Sequence, residues 1–579
     1  MLPAMKAAGT PVYTPGRGLP IDFRQPFWSA RLRLFLRDIE DVSYATLMDH
    51  LARLYGDRTA FVLDEGIDYP GLSGRSLGYR QVGDFAARIG AALEQMGVEP
   101  GRRVGLITLN RIEMAFCSFA VGRIGAIPVP MNFMLRRTEI AHVKEKAGIE
   151  TMFCDRTVFD GTIRDVGAVP GVKNWIMVGD PHPPEPFVSL HDLVRDAPPP
   201  GPPVRPASND ETAVLFFTSG TTGLPKGAEL SHDAVTVYFR HHGRFFSLLP
   251  RIPNHLGLLV MPVAHAGGYA VMMVQLIIGI PAYFLSRFDA GAILDTIEDH
   301  HPTIFSGTPA MFRMLVDSAG LDRDLGSVRI WSGGADAFSD GLISTFRGRW
   351  ARRGLLGITR KPMFIRGYGM AETNTYLAQT PPFACGDNCL GWVLPPVQYR
   401  IVDPEGNDVR RGEQGELWVR GPNVAKRYWE DEGSTARAFT DGWFRTGDLV
   451  RQGRWRMLYF VGRSQEVIKT GGYKVSAVEL DHVIGRHPDV EQVATVGVPD
   501  DVKGEVPVAA VVLRDGADTP EQEILEHAKR HLAPYKRPRR VIFLRAIPVT
   551  FNLKPRRLEV KGKILEHLGA EAGEERRGA

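Results

Sequence analysis

"LFFTSGTTGLPKGAELSH", Leu215–His232, is the stretch on which the reading of this chain turns. An apolar strand-like run, "AVLFF", ends at Phe217. Ten residues rich in Gly, Ser and Thr follow, with Pro225 and one lysine, and then a helix-like segment that Ser231 is placed to cap. Successive backbone N–H groups in such a loop form a concave anion site. A helix N-terminus behind it adds a favourable dipole. The hydroxyls of Thr218, Ser219, Thr221 and Thr222 and the ammonium of Lys226 are further donors, and Gly220 and Gly223 let the backbone come close. The loop therefore suits phosphate oxygens. It is not a GxxxxGK[ST] loop: counting from Gly220, Pro225 holds the place of the second Gly, and Gly227 follows Lys226.

The surroundings agree with a large α/β enzyme. The 579 residues exceed one ordinary core, and 44% hydrophobic with 23% charged residues is the balance of a soluble globular protein. Four cysteines are too few for a disulfide framework, and the N-terminus carries no basic-then-apolar signal pattern, so a cytoplasmic setting is expected. Cys385 and Cys389 form a single CxxxC without a second pair and read as loop cysteines rather than zinc ligands. The segment Pro26–Ile39 mixes aromatic residues with arginines. It reads as a helix packed on its own protein, with weak peripheral membrane contact as the alternative.

From about residue 75 helices alternate with strands, which implies a largely parallel sheet covered on both faces. The Pro-rich run Ala197–Ala207 is either a domain linker or a surface crossover. Tyr269–Leu285 reads as a buried helix followed by a buried strand, and Thr308-Pro309 opens another helix. From Tyr399 the texture turns to β, and after Arg463 a smaller α/β unit begins. Lys529–Lys563 holds twelve Lys or Arg and one acidic residue, while the chain's net charge is only +4. That block is a solvated face or a surface for a polyanionic ligand such as a nucleotide or coenzyme A. No nucleic-acid module is visible, so nucleic acid is not an expected partner.

"TSGTTGLPKG" resembles the signature loop of the AMP-forming adenylating enzymes: acyl-CoA synthetases, peptide-synthetase adenylation domains and firefly-type luciferases. Four further motifs recur in that family's order over roughly residues 45–565: "SGGADA" (Ser332–Ala337), "GYGMAET" (Gly367–Thr373), "WFRTGDL" (Trp443–Leu449) and "GRSQEVIKTGGYKVSAVELD" (Gly462–Asp481). "PVTFNLK" (Pro548–Lys554) resembles the family's C-terminal lysine motif. The resemblance, closest to a fatty-acyl-CoA synthetase, implies an α/β fold. A large N-terminal adenylating core of mixed sheets covered by helices, with a β-rich subdomain, precedes a small mobile α/β C-terminal domain. The expected organisation is an N-terminal extension (1–44), an ATP- and acyl-binding domain (45–462), a lid (463–568) and a frayed tail (569–579).

The reaction implied joins a carboxylic acid to ATP, giving acyl-AMP and pyrophosphate, and then passes the acyl group to the thiol of coenzyme A. ATP, Mg²⁺ and coenzyme A are the expected co-substrates. By resemblance Lys554 bridges carboxylate and α-phosphate, and Glu372 is the magnesium carboxylate. Gly333, Gly334, Ala335, Gly367, Tyr368, Gly369 and Met370 line the adenine side, and Asp448 and Arg463 hold the ribose. His265, in "PVAHAGG", lines the carboxylate pocket. Gln465 is the pivot that brings Gly471 and Gly472 to the thiol tunnel. No acidic residue stands in "VMPVAHAGGYAV" to pair a substrate amine, so a fatty or aryl acid fits. Ala371, Arg427, Gln465, Asn552 and Leu553 depart from the residues common in the family. Loading of a carrier-protein phosphopantetheine, a non-catalytic nucleotide-binding scaffold and a homodimer are the alternatives left open.

Overall fold

The computed structural model describes residues 42–165, 167, 169–218, 224–237, 255–318, 320–334, 336, 338–350, 352–353, 359–374, 377–383, 385–386, 388–464, 467–470, 473–500, 502–549 and 555–578. Ser219–Gly223, Ala335, Gln465, Gly471, Gly472, Lys554 and the Pro26–Ile39 segment lie outside these residues. The chain divides into two compact units. One runs to Gln398 and takes in Val419–Phe444; the other joins Tyr399–Trp418 to the chain from Arg445 onward.

The first unit is built on two sheets. In the larger, six parallel strands lie in the order Met363–Tyr368, Ile330–Gly333, Ile304–Gly307, Gly257–Leu259, Ala282–Phe284 and Thr59–Tyr69. Antiparallel strands flank them: Leu72–Gly78 at one edge, Ala378–Gln379 and then Cys389–Val393 at the other. The second sheet is wholly parallel, in the order Ile127–Pro130, Arg103–Ile107, Thr151–Asp155, Asn174–Val178 and Phe187–Ser189. Short apolar strands buried on both faces are what parallel pairing between helices requires. Tyr269–Leu285 folds as expected, into the helix Ala266–Ile278 and the strand Ala282–Phe284. Tyr55 Oη and Tyr79 Oη donate to the carbonyls of Ile277 and Leu276, satisfying the buried end of that helix. The Pro-rich run is a crossover packed on its own unit: Val204 N donates to Arg123 O, and Arg123 Nη2 donates to Gly201 O.

One local expectation is corrected here. The residues after the opening loop are a strand, Lys226–Ser231, antiparallel to Thr212–Thr218 with Thr218 opposite Lys226. The loop thus connects two paired strands, and among the described residues it is a strand, not a helix, that follows it directly. Ala228 and Leu230 on one face and Glu229 on the other are all buried, which a strand packed on both sides satisfies. The helix begins only after Ser231, whose Oγ caps it by accepting from Ala234 N.

In the second unit Val490–Asp500 and Gly504–Leu513 form a long antiparallel pair. Arg540–Phe543 joins the latter strand in parallel. Alternation along Gly504–Leu513 sends Ala509 and Val511 to a core with Leu480, Ile484 and Ile524, and Val508 and Ala510 to one with Val560 and Ile564. The last helix runs from Arg557 to Gly578, through the residues expected to fray. Its Glu, Ala and Arg content favours helix, which explains the difference. Seven residues of the basic block, Lys529, Lys536, Arg539, Arg540, Arg556, Arg557 and Lys561, make ion pairs. Among the described residues no helix is long and apolar enough to cross a membrane.

Candidate active site

In the first unit the parallel strands end together. Gly307, Gly333 and Arg366 are in register, and each strand then turns away into a loop. Crevices at the carboxyl ends of such strands are where open α/β sheets bind ligands. The glycines there are forced by backbone approach. A Cβ on Gly334 would stand 2.6 Å from Gly367 O, and one on Gly333 would stand 2.6 Å from Gly307 O. Gly367 and Tyr368 finish the strand Met363–Tyr368, and Gly369 and Met370 lead into a single 3₁₀ turn, Ala371–Thr373.

That turn presents Glu372, which is buried. Thr373 N donates to Met370 O, and Asn374 closes the turn at φ +48°, a conformation Asn tolerates. Asn374 Nδ2 donates to Ala234 O, and Asn423 Nδ2 donates to Thr373 O, so the turn is tied from both sides. The Thr373 hydroxyl is spent within the turn, bonded to both the N–H and the carbonyl of Met370.

Three elements meet around Tyr428. Tyr428 Oη donates to Glu372 Oε1 at 2.8 Å, and Lys226 Nζ lies over the Tyr428 ring, 5.5 Å from its centroid. The segment carrying Tyr428 lies along the strand Lys226–Ser231: Trp429 N donates to Gly227 O, Glu229 N to Arg427 O and Lys426 N to Glu229 O. Beside it Arg427 Nε meets Glu229 Oε2 at 2.7 Å. That carboxylate is 2% exposed and also accepts from Thr212 Oγ1. The bond to Glu229 raises the Arg427 guanidinium above its ordinary value. Sequence reading flagged Arg427 as a departure but assigned no role to Tyr428 or Glu229. The partners stand 198 residues apart, and nothing local in the sequence pairs them.

A single buried carboxylate fits Mg²⁺ that takes its remaining ligands from phosphate oxygens and water. Among the described residues no cluster of three or more acidic, His or Cys side chains could hold a metal ion. His265 heads the helix Ala266–Ile278, and its Nδ1 accepts from Gly267 N at 3.0 Å. Acceptance at Nδ1 puts the neutral ring's proton on Nε2. Next to it Gly268 has no room for a side chain, since a Cβ would meet Pro262 O at 2.2 Å.

In the second unit Arg463 Nε pairs with Asp448 Oδ1 at 3.1 Å across the antiparallel strands Trp443–Gln452 and Leu458–Arg463. Asp448 is 2% exposed, and its backbone N–H donates to Thr446 Oγ1. The two residues expected at the ribose are thus brought together.

Comparison with known proteins agrees with this geometry. A profile described as AMP-binding enzyme matches residues 48–429, and one described as AMP-binding enzyme C-terminal domain matches residues 479–554. The chain is 30% identical over 517 residues to 4-coumarate--CoA ligase 2 of Oryza sativa subsp. japonica, covering 85% of this chain and 88% of the relative. It is 31% identical over 498 residues to indoleacetate--CoA ligase of Aromatoleum aromaticum, covering 84% and 93%. The crystal structure of ATP-bound MatB from Rhodopseudomonas palustris superposes with a TM-score of 0.78 at 26% identity, covering 90% of this chain and 99% of that one. The chain belongs to the AMP-binding enzyme family, as an adenylate-forming acid–CoA ligase that uses ATP, Mg²⁺ and coenzyme A.

Proposed function

We propose that this ligase activates an aromatic carboxylic acid, an aryl or arylalkenoic acid rather than a fatty acid. The observation that carries the nucleotide half of this reading is the meeting of Tyr428, Lys226 and Glu372 beside the glycine-lined strand ends. The aromatic preference is supported by the relatives, which are named for 4-coumarate and indoleacetate. It also agrees with the small and apolar residues after His265, among which no carboxylate waits for a substrate amine.

Adenylation pushes a carboxylate at an α-phosphate, a severe repulsion at close range in a poorly hydrated site. Mg²⁺, when bound, neutralises charge on the phosphate oxygens. Glu372 would hold it, kept in place by the Tyr428 hydroxyl. Lys226 and the hairpin loop Thr218–Gly227 would cradle phosphate, and Gly333, Gly334, Gly367 and Tyr368 would receive the adenine. Asp448 would accept from the ribose hydroxyls, with Arg463 orienting it. Lys554 would supply the fixed positive charge where negative charge develops. A lid formed by residues 463–568 would then turn about Gln465, withdrawing Lys554 and bringing Gly471 and Gly472 to the thiol path.

Pyrophosphate release scanned over aromatic, short, medium and long-chain acids tests the substrate class. The reading expects kcat/KM for an arylalkenoic acid to exceed that for any alkanoic acid by about tenfold or more, roughly 1.4 kcal/mol of transition-state preference. A long-chain acid turned over best would overturn it.

A further inference from the structure

We infer that Cys385 and Cys389 form a peroxide-reactive dithiol, in which Cys385 is the attacking sulfur, Cys389 resolves it and Arg366 holds the attacking sulfur in place. The pair belongs to no step of the ligase reaction, and the inference does not depend on which acid is activated.

All four cysteines are free thiols. Cys117 and Cys154 are sealed in the interior, where burial raises both thiols well above their ordinary value. Cys385 is different. It stands half-buried in the loop before the strand Cys389–Val393, and two donors point at its sulfur. The Cys389 S–H is one. Arg366 Nη2 is the other, at 3.1 Å, and it also donates to Gly386 O. Arg366 is fixed by its strand: its N–H donates to Thr380 Oγ1, and its carbonyl accepts from Thr380 N. The guanidinium therefore does not have to be recruited. Cys389 N donates to Gly386 O, a backbone bond between the two cysteines.

Donation from Cys389 first, and the Arg366 charge after it, pull the Cys385 thiol down to about 7, against an opposing push from burial and from Asp340. Cys389 is raised by the same hydrogen bond and by its own burial. Of the two sulfurs Cys385 is thus the more readily deprotonated, and Cys389 the one that holds its proton more firmly. This is the asymmetry an attacking and a resolving thiol need.

The chemistry balances with hydrogen peroxide as oxidant. The Cys385 thiolate attacks one peroxide oxygen, the O–O bond breaks, and hydroxide leaves and takes up a proton to become water. The resulting sulfenic acid is attacked at sulfur by Cys389. The S–O bond breaks, the second oxygen leaves as water with the Cys389 proton, and the S–S bond forms. Two thiols and one hydrogen peroxide become one disulfide and two waters, and a dithiol reductant reverses the oxidation.

The full-length folded enzyme provides the test, with Cys117 and Cys154 as internal controls. Iodoacetamide labelling followed by peptide mass spectrometry should give Cys385 an alkylation midpoint near neutral pH, while the two interior thiols react only after unfolding. One equivalent of hydrogen peroxide should give a Cys385–Cys389 disulfide that dithiothreitol removes. In Cys389→Ser, which leaves the attacking sulfur in place, dimedone should instead trap a sulfenic acid at Cys385. Arg366→Gln should move the alkylation midpoint upward. A Cys385 midpoint at the ordinary value of about 8.5 or above overturns the inference. So does peroxide treatment that yields neither the disulfide in the wild type nor the dimedone adduct in Cys389→Ser. A midpoint unmoved by Arg366→Gln removes Arg366 from it.

Discussion

Tyr428 reaches Glu372 through a 2.8 Å hydrogen bond while offering its ring face to the Lys226 ammonium, so one side chain holds both the candidate metal carboxylate and the lysine of the phosphate loop. Both partners would touch ATP·Mg, whereas Tyr428 acts through them. Tyr428→Phe keeps the ring and deletes the hydroxyl. A hydrogen bond to a charged group contributes about 1.5 kcal/mol, so the Mg²⁺ concentration giving half-maximal pyrophosphate exchange should rise roughly tenfold. Thermal stability should barely change. An unaltered Mg²⁺ titration would show that the hydroxyl does not position Glu372.

Arg427 and Glu229 fasten the same segment to the hairpin. Removing the guanidinium leaves a 2% exposed carboxylate with Thr212 as its remaining side-chain donor. Arg427→Ala should therefore destabilise by about 2 kcal/mol, read as a lower urea midpoint. Adding Glu229→Gln to Arg427→Ala should restore part of the loss, because no buried charge then stands unmatched. If the single variant unfolds at the wild-type midpoint, the pair is only a surface contact.

Stability should fall with acid through the buried histidines. His232 accepts Tyr44 N–H at Nδ1, and His255 Nδ1 is 2.6 Å from Thr303 Oγ1. Burial pulls both imidazoles down to about 4. The sign follows directly: below about 6.5 the unfolded chain binds protons that these folded rings refuse, so stability rises with pH across that range. It is fully present above about 6.5 and is lost progressively toward 4, by up to about 3 kcal/mol for each ring. Differential scanning from pH 7.5 to 4.5 should show Tm dropping below 6.5. His232→Asn, which retains an acceptor for Tyr44, should flatten that drop, and an identical slope in the variant would rule His232 out as its source.

How far the sequence was legible depends on what each motif encodes. The glycines at 333 and 334 were readable because no side chain fits where strand ends close on each other, and the structure places a backbone oxygen in the space beside each. The Asp448–Arg463 pair was readable because both residues sit inside motifs. The strand Lys226–Ser231 was not, because its short polar-interrupted run carries no clear period, and the Lys426–Trp429 segment that covers its other edge lies some two hundred residues away. The same distance hid Tyr428: nothing local marks a tyrosine as the partner of a glutamate 56 residues before it. The ion pairs of the basic block were hidden for a related reason. Its counter-charges, such as Glu479, Asp481 and Asp500, stand outside it in sequence and beside it in space.

The two half-reactions should separate at Lys554. In Lys554→Ala, single-turnover formation of acyl-AMP should slow on the order of 10²–10³-fold, the usual loss for a charge-stabilising donor. Thioester formation from supplied acyl-AMP and coenzyme A should proceed at the wild-type rate. Equal damage to both steps would mean that Lys554 supports the fold or the nucleotide site generally.

The most direct measurement is acid-dependent pyrophosphate exchange into ATP by the wild type and Glu372→Gln, titrated with Mg²⁺ and paired with calorimetric binding of ATP·Mg. The wild type should exchange with an arylalkenoic acid. The variant should lose on the order of 10²-fold or more at limiting Mg²⁺ and recover in part at high Mg²⁺. Exchange in Glu372→Gln that matches the wild type at every Mg²⁺ concentration would contradict the site described here.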